Sequence, residues 1–213
     1  AAAPVIPSLC EQSLRFRIKA PPLTQKRFLI WDTRFHITDG KPGILRDIAE
    51  SLADCADVNS VLIDKGGKFL GDDALAPYDA VIHIPYNIST MSFFEQGSAN
   101  IPVWLPTPRL LAEILATEYS ELSWYCFEGA EQRQRAERPD RVWEKGVIED
   151  YVSRSDFTGE VFQNLLTFDS VQELRERVLA TDYDAIVKKS YGHTVARKVR
   201  AAEEYLRVLR ALG

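Results

Sequence analysis

Hydroxyl and amide side chains are concentrated in one short predicted turn of this sequence. A glutamate follows three residues after the last of them. The turn contains Asn87, Ser89, Thr90 and Ser92, and the glutamate is Glu95. Free amide N–H groups at the start of a helix, together with the positive end of the helix dipole, favour phosphate. A carboxylate offers two acceptor oxygens to two neighbouring hydroxyls of a sugar. The pattern therefore predicts that the turn binds a diphosphate and that Glu95 binds a ribose.

A second interpretation of the same residues needs no ligand. Ser92 and Glu95 have the spacing of a capping box, in which side chains accept hydrogen bonds from backbone N–H groups at the start of a helix. Such a cap stabilises a helix by about 1 kcal/mol. The residues of the turn do not by themselves decide between a phosphate site and a helix cap.

Side chains that could meet a phosphate also follow two other apolar runs. They are Arg34, His36, Lys65 and Lys68. Arg34 is the first choice, because ligands collect at the carboxyl ends of parallel strands and a guanidinium binds phosphate through two N–H groups. The two lysines are more typical of solvated surface charges than of phosphate ligands. His83 lies inside an apolar run, where a lone histidine is expected to be a hydrogen-bonded core residue.

The elements that must position these residues are short strands and amphipathic helices. The strand-length runs are Arg27–Trp31, Val58–Ile63, Ala80–Ile84, Val103–Leu105 and Leu165–Phe168. Helical patterns cover Ile44–Ala53, Arg109–Glu118, a segment capped by Ser170 with Glu173 three positions on completing a capping box, and Tyr183–Leu212. Strands that are apolar throughout belong to a sheet covered on both faces, and helices between them imply parallel crossovers. We expect an α/β protein: a three-layer, Rossmann-like domain with a mostly parallel sheet.

Composition along the chain predicts three parts. Residues 1–23 are interrupted by prolines and are expected to form a linker or crossover segment. Residues 24–185 are expected to form the Rossmann-like domain, and residues 186–213 a basic amphipathic helix. A chain of 213 residues is long enough for one sizeable core but short for two full α/β domains.

Charge and cysteine content exclude several classes. With 26 basic and 31 acidic residues the net charge is -5, which gives no overall field for nucleic acid or an anionic membrane. Cys10, Cys55 and Cys126 are far apart without C-x-x-C spacing, which favours reduced thiols over a disulfide framework. No histidine neighbours a cysteine, so a zinc site is not expected.

Targeting signals are not visible in the sequence. No run of about 18 apolar residues occurs, so we expect no transmembrane helix. The first residues show neither a charged n-region nor an apolar h-region, and we therefore expect a cytoplasmic protein. The chain begins Ala-Ala-Ala-Pro without a methionine, which leaves its native start open.

Two common phosphate-binding motifs are missing. The residues after the first apolar run contain no G-x-G-x-x-G, which removes the main reason to expect a dehydrogenase. The Gly-rich turn between Lys65 and Lys68 lacks the Gly-Lys-Ser/Thr end of a P-loop. We therefore expect neither a dehydrogenase-type dinucleotide site nor a P-loop.

The stretch PYNISTMSFFEQGSANIPVWLPTP, residues 85–108, resembles the donor-site signature of GT-B glycosyltransferases. In the C-terminal domains of these enzymes, a strand is followed by a turn and by a helix that carries a glutamate. A short apolar strand that begins with proline follows seven residues after the glutamate. Here Glu95 stands at that interval from Pro102. Val5–Cys10 resembles the lead-in between the two domains of such enzymes, and Asp150–Asp184 resembles the region that closes the donor domain.

The resemblance implies one half of a GT-B enzyme, with a UDP- or GDP-linked nucleotide sugar as substrate, no cofactor and no metal. It also implies an acceptor domain, N-terminal to this chain or on a partner chain, which would supply any catalytic base; no catalytic residue is assigned here. Many retaining members carry a second glutamate eight positions earlier, where this chain has Asn87, so the stereochemical outcome stays open. Two alternatives remain: a non-catalytic α/β nucleotide-binding or regulatory domain, and a nucleotidyl- or glycerophosphate-transferring relative.

Overall fold

The computed structural model describes residues 26–32, 43–62, 75, 77–85, 96–97, 99–118 and 162–212. The strands are β1 (Arg27–Asp32), β2 (Asp57–Leu62), β3 (Ala80–His83), β4 (Val103–Pro106) and β5 (Leu165–Phe168). The helices are α1 (Ile44–Leu52), α2 (Pro108–Glu118), α3 (Val171–Ala180) and α4 (Tyr183–Leu212). These elements confirm the strands and helices predicted from the sequence to within a few residues at their ends. The predicted linker, residues 1–23, lies outside the described residues.

The strands form one sheet in the order β2-β1-β3-β4-β5. Every pairing between neighbouring strands is parallel. In the centre of the sheet Phe28 is opposite Ala80 and Trp31 is opposite His83. An all-parallel sheet with helices in its connections confirms the predicted α/β class.

Alternate residues of the strands point to opposite sides of the sheet and bury two different cores. We call the first side the apolar face; its strand residues are Phe28, Ile30, Ala80, Ile82, Trp104 and Phe168. We call the second side the mixed face; its strand residues include Leu29, Trp31, Val81, His83, Val103 and Leu105.

Helices α1, α2 and α3 cover the apolar face. Ile44, Ile48 and Leu52 of α1 recur every four residues, which places all three on one side of a helix, and all are buried there. The chain enters α1 through Gly43, whose carbonyl accepts from the Arg46 N–H. Arg175 ties α3 to the segment directly after α1 through Asp54, at 2.7 Å.

The mixed face is covered by connecting segments and by α4. Ile101 and Phe162 pack against its strands. The side chain of Asn100 donates to the Val187 carbonyl of α4 at 3.0 Å, and the Arg197 guanidinium lies 4.9 Å from the centre of the Phe162 ring. Helix α4 therefore holds the connecting segments against this side of the sheet.

Lys26, directly before β1, closes the end of α3. Its ammonium donates to the carbonyls of Val178, Leu179 and Thr181, at 3.3, 2.7 and 2.9 Å. It also lies 4.9 Å from the centre of the Tyr183 ring. The last carbonyls of a helix lack intrahelical donors and carry the negative end of the dipole, so a cation is favoured there.

Candidate functional site

The residues that the sequence nominates for ligand binding all follow strand ends. Arg34 and His36 follow β1, and Lys65 and Lys68 follow β2. The remaining residues follow β3: Asn87, Ser89, Thr90, Ser92 and Glu95. All nine lie outside the described residues. The structure therefore describes the framework from which they start, and their own placement stays a prediction.

That framework contains a topological switch point between β1 and β3. The two strands are neighbours, yet the chain continues from β1 to β2 on one side and from β3 to β4 on the other. When adjacent strands continue in opposite directions, their connections separate and leave a crevice at the carboxyl ends, where ligands bind in open α/β sheets. The segments with Arg34 and Glu95 leave from these two strand ends.

Trp31 and His83 pack together at the carboxyl ends of β1 and β3. They are opposite each other in the parallel register, and their rings are stacked with centroids 6.3 Å apart. Exposure is 2% for Trp31 and 0% for His83. This pair forms a closed layer of the mixed face beneath the strand ends.

His83 is hydrogen-bonded to Gln96. Its Nδ1 lies 2.8 Å from the Gln96 Oε1. Because a carbonyl oxygen only accepts, Nδ1 carries the proton in this arrangement. Burial disfavours the imidazolium and lowers the pKa of His83 to about 4, although the hydrogen bond with Gln96 acts in the opposite direction. His83 is therefore neutral near pH 7, and the prediction of a hydrogen-bonded core histidine is confirmed.

The backbone at Gly97, directly after Gln96, is also closely packed. A Cβ added to Gly97 would lie 2.8 Å from ring atoms of Phe162, so only glycine fits there without displacement. Asn164, itself fully buried, donates from Nδ2 to the Gly97 carbonyl at 3.3 Å and to the Ile101 carbonyl at 2.5 Å. We call His83, Gln96, Gly97, Phe162 and Asn164 the Gln96 anchor.

A sharp turn links the anchor to β4. Asn100 has φ 60°, in the left-handed region where asparagine is tolerated better than most residues, and its N–H donates to the Gly97 carbonyl at 3.3 Å. Its side chain also bonds to Ser190 of α4. The turn reverses the chain directly after Gly97 and brings Pro102 beside β3, where its carbonyl accepts from the Val81 N–H at 2.9 Å.

A second polar cluster joins the carboxyl ends of β4 and β5. Thr107 caps α2 by accepting from the Leu110 N–H at 3.3 Å, and its hydroxyl donates to Asp169. Arg109 donates to the other oxygen of Asp169 at 2.5 Å. Hydrogen bonds from Arg109 and then Thr107 hold the pKa of Asp169 below its ordinary value.

The same cluster extends into the first turn of α3. The Ser170 hydroxyl accepts from the Glu173 N–H at 3.1 Å, and the Glu173 carboxylate accepts from the Asp169 N–H at 2.7 Å. Arg177 donates to Glu173 at 2.8 Å and lowers its pKa. The capping role predicted for Ser170 is confirmed, whereas Glu173 reaches the N–H one residue before the cap. Because its polar groups bind one another, this cluster fastens two helix starts to the sheet.

Sequence reasoning did not nominate Gln96, Asn164 or Asp169 as partners. Asn164 and Asp169 flank β5, and polar residues at strand ends are common, so position alone gave no reason to select them. Gln96 directly follows Glu95, and its amide has no obvious partner in the linear sequence. Its role depends on contact with His83. The sequence signal that could have indicated this pair is one polar residue at each end of the segment between His83 and Gln96.

Within the described ranges, no three His, Cys, Asp or Glu side chains come together in a way that could hold a metal ion. The helices of the same ranges include none with the length and apolar character needed to cross a membrane. These two findings concern those residues alone.

Comparisons with known proteins add no relative to this description. No family model matches the chain. Searches of curated proteins and of solved structures likewise find no match. Any functional conclusion consequently rests on the chain's own residues and on the geometry of its sheet.

Proposed function

We propose that this chain is the nucleotide-sugar-binding, donor-side domain of a GT-B-like glycosyltransferase. Its reaction would move a glycosyl group from a nucleoside-diphosphate sugar to an acceptor held by another domain or chain. Asn87, Ser89, Thr90 and Ser92 bind the diphosphate in this proposal, and Glu95 binds the ribose. Arg34 adds a guanidinium to the phosphates, with His36, Lys65 and Lys68 as further contacts.

The observation that carries the proposal is the switch point between β1 and β3. All nine nominated residues follow the carboxyl ends of three adjacent strands, β2, β1 and β3. Connections that leave these ends on the same edge of the sheet can contribute to one crevice. Residues that followed opposite ends of these strands would not contribute to one crevice.

The Gln96 anchor adds support from the other end of the predicted turn. Gln96 is fixed by a hydrogen bond to the last residue of β3, and Glu95 is its neighbour in sequence. Gln96 and Gly97 have helical backbone, and successive helical residues point about 100° apart. Helical backbone at Gln96 and Gly97 is what the proposal expects at the end of a helix that carries Glu95.

Nucleotide binding is the direct test. Thermal unfolding of the chain with UDP, GDP, CDP or UMP should show stabilisation by at least one diphosphate, by about 2.7 kcal/mol at a ligand concentration 100 times Kd. We expect UDP or GDP to stabilise more than UMP, because the turn is proposed to bind the second phosphate.

Glu95→Ala should remove most of that stabilisation. The matched control is Glu176→Ala, which removes an exposed glutamate of α3 and should leave the nucleotide-induced shift unchanged. Failure of all four nucleotides, or a full shift in Glu95→Ala, would contradict the donor-site assignment. Binding without transfer in the presence of the acceptor half would instead favour the non-catalytic alternative, and a preference for CDP would favour the nucleotidyl-transferring one.

A further inference from the structure

Large apolar side chains are exposed on the last turns of helix α4. Within the described residues, the large hydrophobic side chains that are exposed are Leu179 on α3 and four on α4: Val199, Tyr205, Leu206 and Leu209. Each of the four on α4 is at least 51% exposed. Apolar residues exposed singly are common on proteins, whereas a group of them on one element marks an interaction surface.

Most of this group has the spacing of a coiled-coil seam. Val199, Ala202, Leu206 and Leu209 follow one another at intervals of three, four and three residues, and all four are exposed. This is the a and d pattern of a heptad, which keeps one line of apolar side chains facing a partner helix. We call these four residues the outer seam.

The rest of the chain packs against a different side of α4. Ala201 is fully buried, and the Arg197 guanidinium lies 4.9 Å from the centre of the Phe162 ring. Ser190, which bonds to Asn100, lies on that side as well. At about 100° per residue, the outer seam is centred roughly 120° around the helix from Ala201. The seam can therefore meet another helix while α4 stays packed on its own domain.

The charges beside the outer seam favour a second copy of the same helix. Lys198 and Glu203 flank the seam at g and e positions, and Arg210 occupies the next e position. In a parallel pair, the g residue of one helix lies near the following e residue of the other, which brings Lys198 to Glu203. In an antiparallel pair, e residues meet e residues, which brings Glu203 to Arg210. Both orientations place opposite charges together across the seam.

We propose that the outer seam of α4 binds the outer seam of a second copy of this chain, so that two chains form a dimer through a short coiled coil. Four apolar side chains of each copy leave water in this contact, and the charged pairs lie at its edge. Because the contact is small, we expect a Kd of roughly 1–100 µM. Dimer formation through α4 requires no nucleotide.

Sedimentation equilibrium over a concentration series tests the association. Samples between about 1 and 500 µM span the expected Kd. Leu206→Glu places a carboxylate in the middle of the outer seam. The matched control is Leu179→Glu, which makes the same change at an exposed leucine of α3. Circular dichroism and thermal unfolding show whether both variants are folded as the wild type is.

We expect the average mass of the wild-type chain to rise with concentration from one chain toward two. Leu206→Glu should weaken association by tenfold or more, because the carboxylate loses its hydration in the contact. Leu179→Glu should change association by less than twofold. Glu203→Lys should weaken it severalfold at low salt and less at high salt, since it brings cations together in either orientation.

Three results would overturn the inference. A wild-type chain that stays monomeric over this range leaves the outer seam to a different partner. An undiminished dimer in Leu206→Glu, or an equal loss in Leu179→Glu, places the contact elsewhere on the molecule. All three concern association alone and are distinguishable from a failure to bind nucleotide.

Discussion

The two faces of the sheet are built from different chemistry. The apolar face is closed by aliphatic and aromatic side chains, among which Trp104 donates to the Tyr183 hydroxyl at 3.0 Å and that hydroxyl donates to the Val178 carbonyl at 2.9 Å. The mixed face and the segments over it contain the buried polar residues of the described chain: His83, Gln96, Asn100, Asn164 and Ser190. One face is held mainly by burial, and the other also by directed bonds.

This difference between the faces shows which contacts fix the position of a connecting segment. Burial of apolar surface is strong but nondirectional, so it stabilises the sheet without fixing the register of a connecting segment. Hydrogen bonds inside a core are directional and costly to break. The mixed face carries such bonds where connecting segments return to the sheet, before β4 and before β5.

Phe28→Ala on the apolar face should have the largest effect on stability. Phe28 is fully buried and packs edge-to-face on Tyr183, so its removal leaves a cavity that costs about 3–5 kcal/mol. Urea unfolding measures the loss. Leu209→Ala, at a side chain 61% exposed on α4, is the control and should change stability by about 0.5 kcal/mol or less. Equal effects of the two substitutions would contradict the assignment of the apolar face as the main source of stability.

Acidification should lower the free energy of unfolding through the buried, neutral His83. The pKa of this histidine is near 6.5 in the unfolded chain and about 4 in the folded one, because burial disfavours the charged ring. Between these values the unfolded chain binds a proton that the folded chain does not. Stability from this group is therefore complete above pH 6.5, falls as the pH drops toward 4, and levels off below.

The expected loss from His83 between pH 7 and 4.5 is roughly 2–3 kcal/mol. Urea unfolding at the two pH values, in wild type and His83→Gln, separates this loss from that of the carboxylates, which both proteins share. The variant should be less stable at pH 7 but lose less on acidification. An identical loss in both proteins would show that His83 is not held neutral by the fold.

The same glycine-to-alanine change should have opposite signs at two positions. At Gly97 the new methyl group meets the Phe162 ring, and overpacking should destabilise the fold by about 1–3 kcal/mol. At Gly192 in α4 the methyl group enters open space and should stabilise the helix by up to about 1 kcal/mol. Thermal unfolding compares the two. Tolerance of alanine at Gly97 would show that the mixed face is loosely packed.

Ser170→Ala should have the smallest effect, about 1 kcal/mol, because it removes one cap from α3. Ser170→Asp keeps an acceptor for the Glu173 N–H and should restore most of the loss. Thermal unfolding measures both variants. Since α3 covers the apolar face, neither variant should change the nucleotide affinity that we propose for this chain; a change in that affinity would mean that the two faces are coupled.

The sequence was most informative where local patterns carry the physics. Strand β3 and helix α1 follow from an apolar run and from apolar residues spaced along one helical side, and both were predicted. The cap at Ser170 followed from residue types three positions apart. Each of these signals is contained within a few neighbouring residues.

Long-range partners could not be predicted in the same way. The order of the strands depends on which of several similar apolar edges pair, and no single run specifies its neighbour. His83 was expected to be buried and hydrogen-bonded, but its partner, Gln96, depends on how the connecting segment returns to the sheet. Glu95 was selected by its type and spacing alone.

Lys26 has a consequence for the order in which this protein can be completed during synthesis. The carbonyls that hold its ammonium come from residues 152 to 155 positions later. A nascent chain therefore carries the beginning of β1 without these hydrogen bonds until the region around Thr181 has left the ribosome. We expect the opening of β1 to be among the last parts to become protected, and chains interrupted before α3 to leave it accessible to proteases.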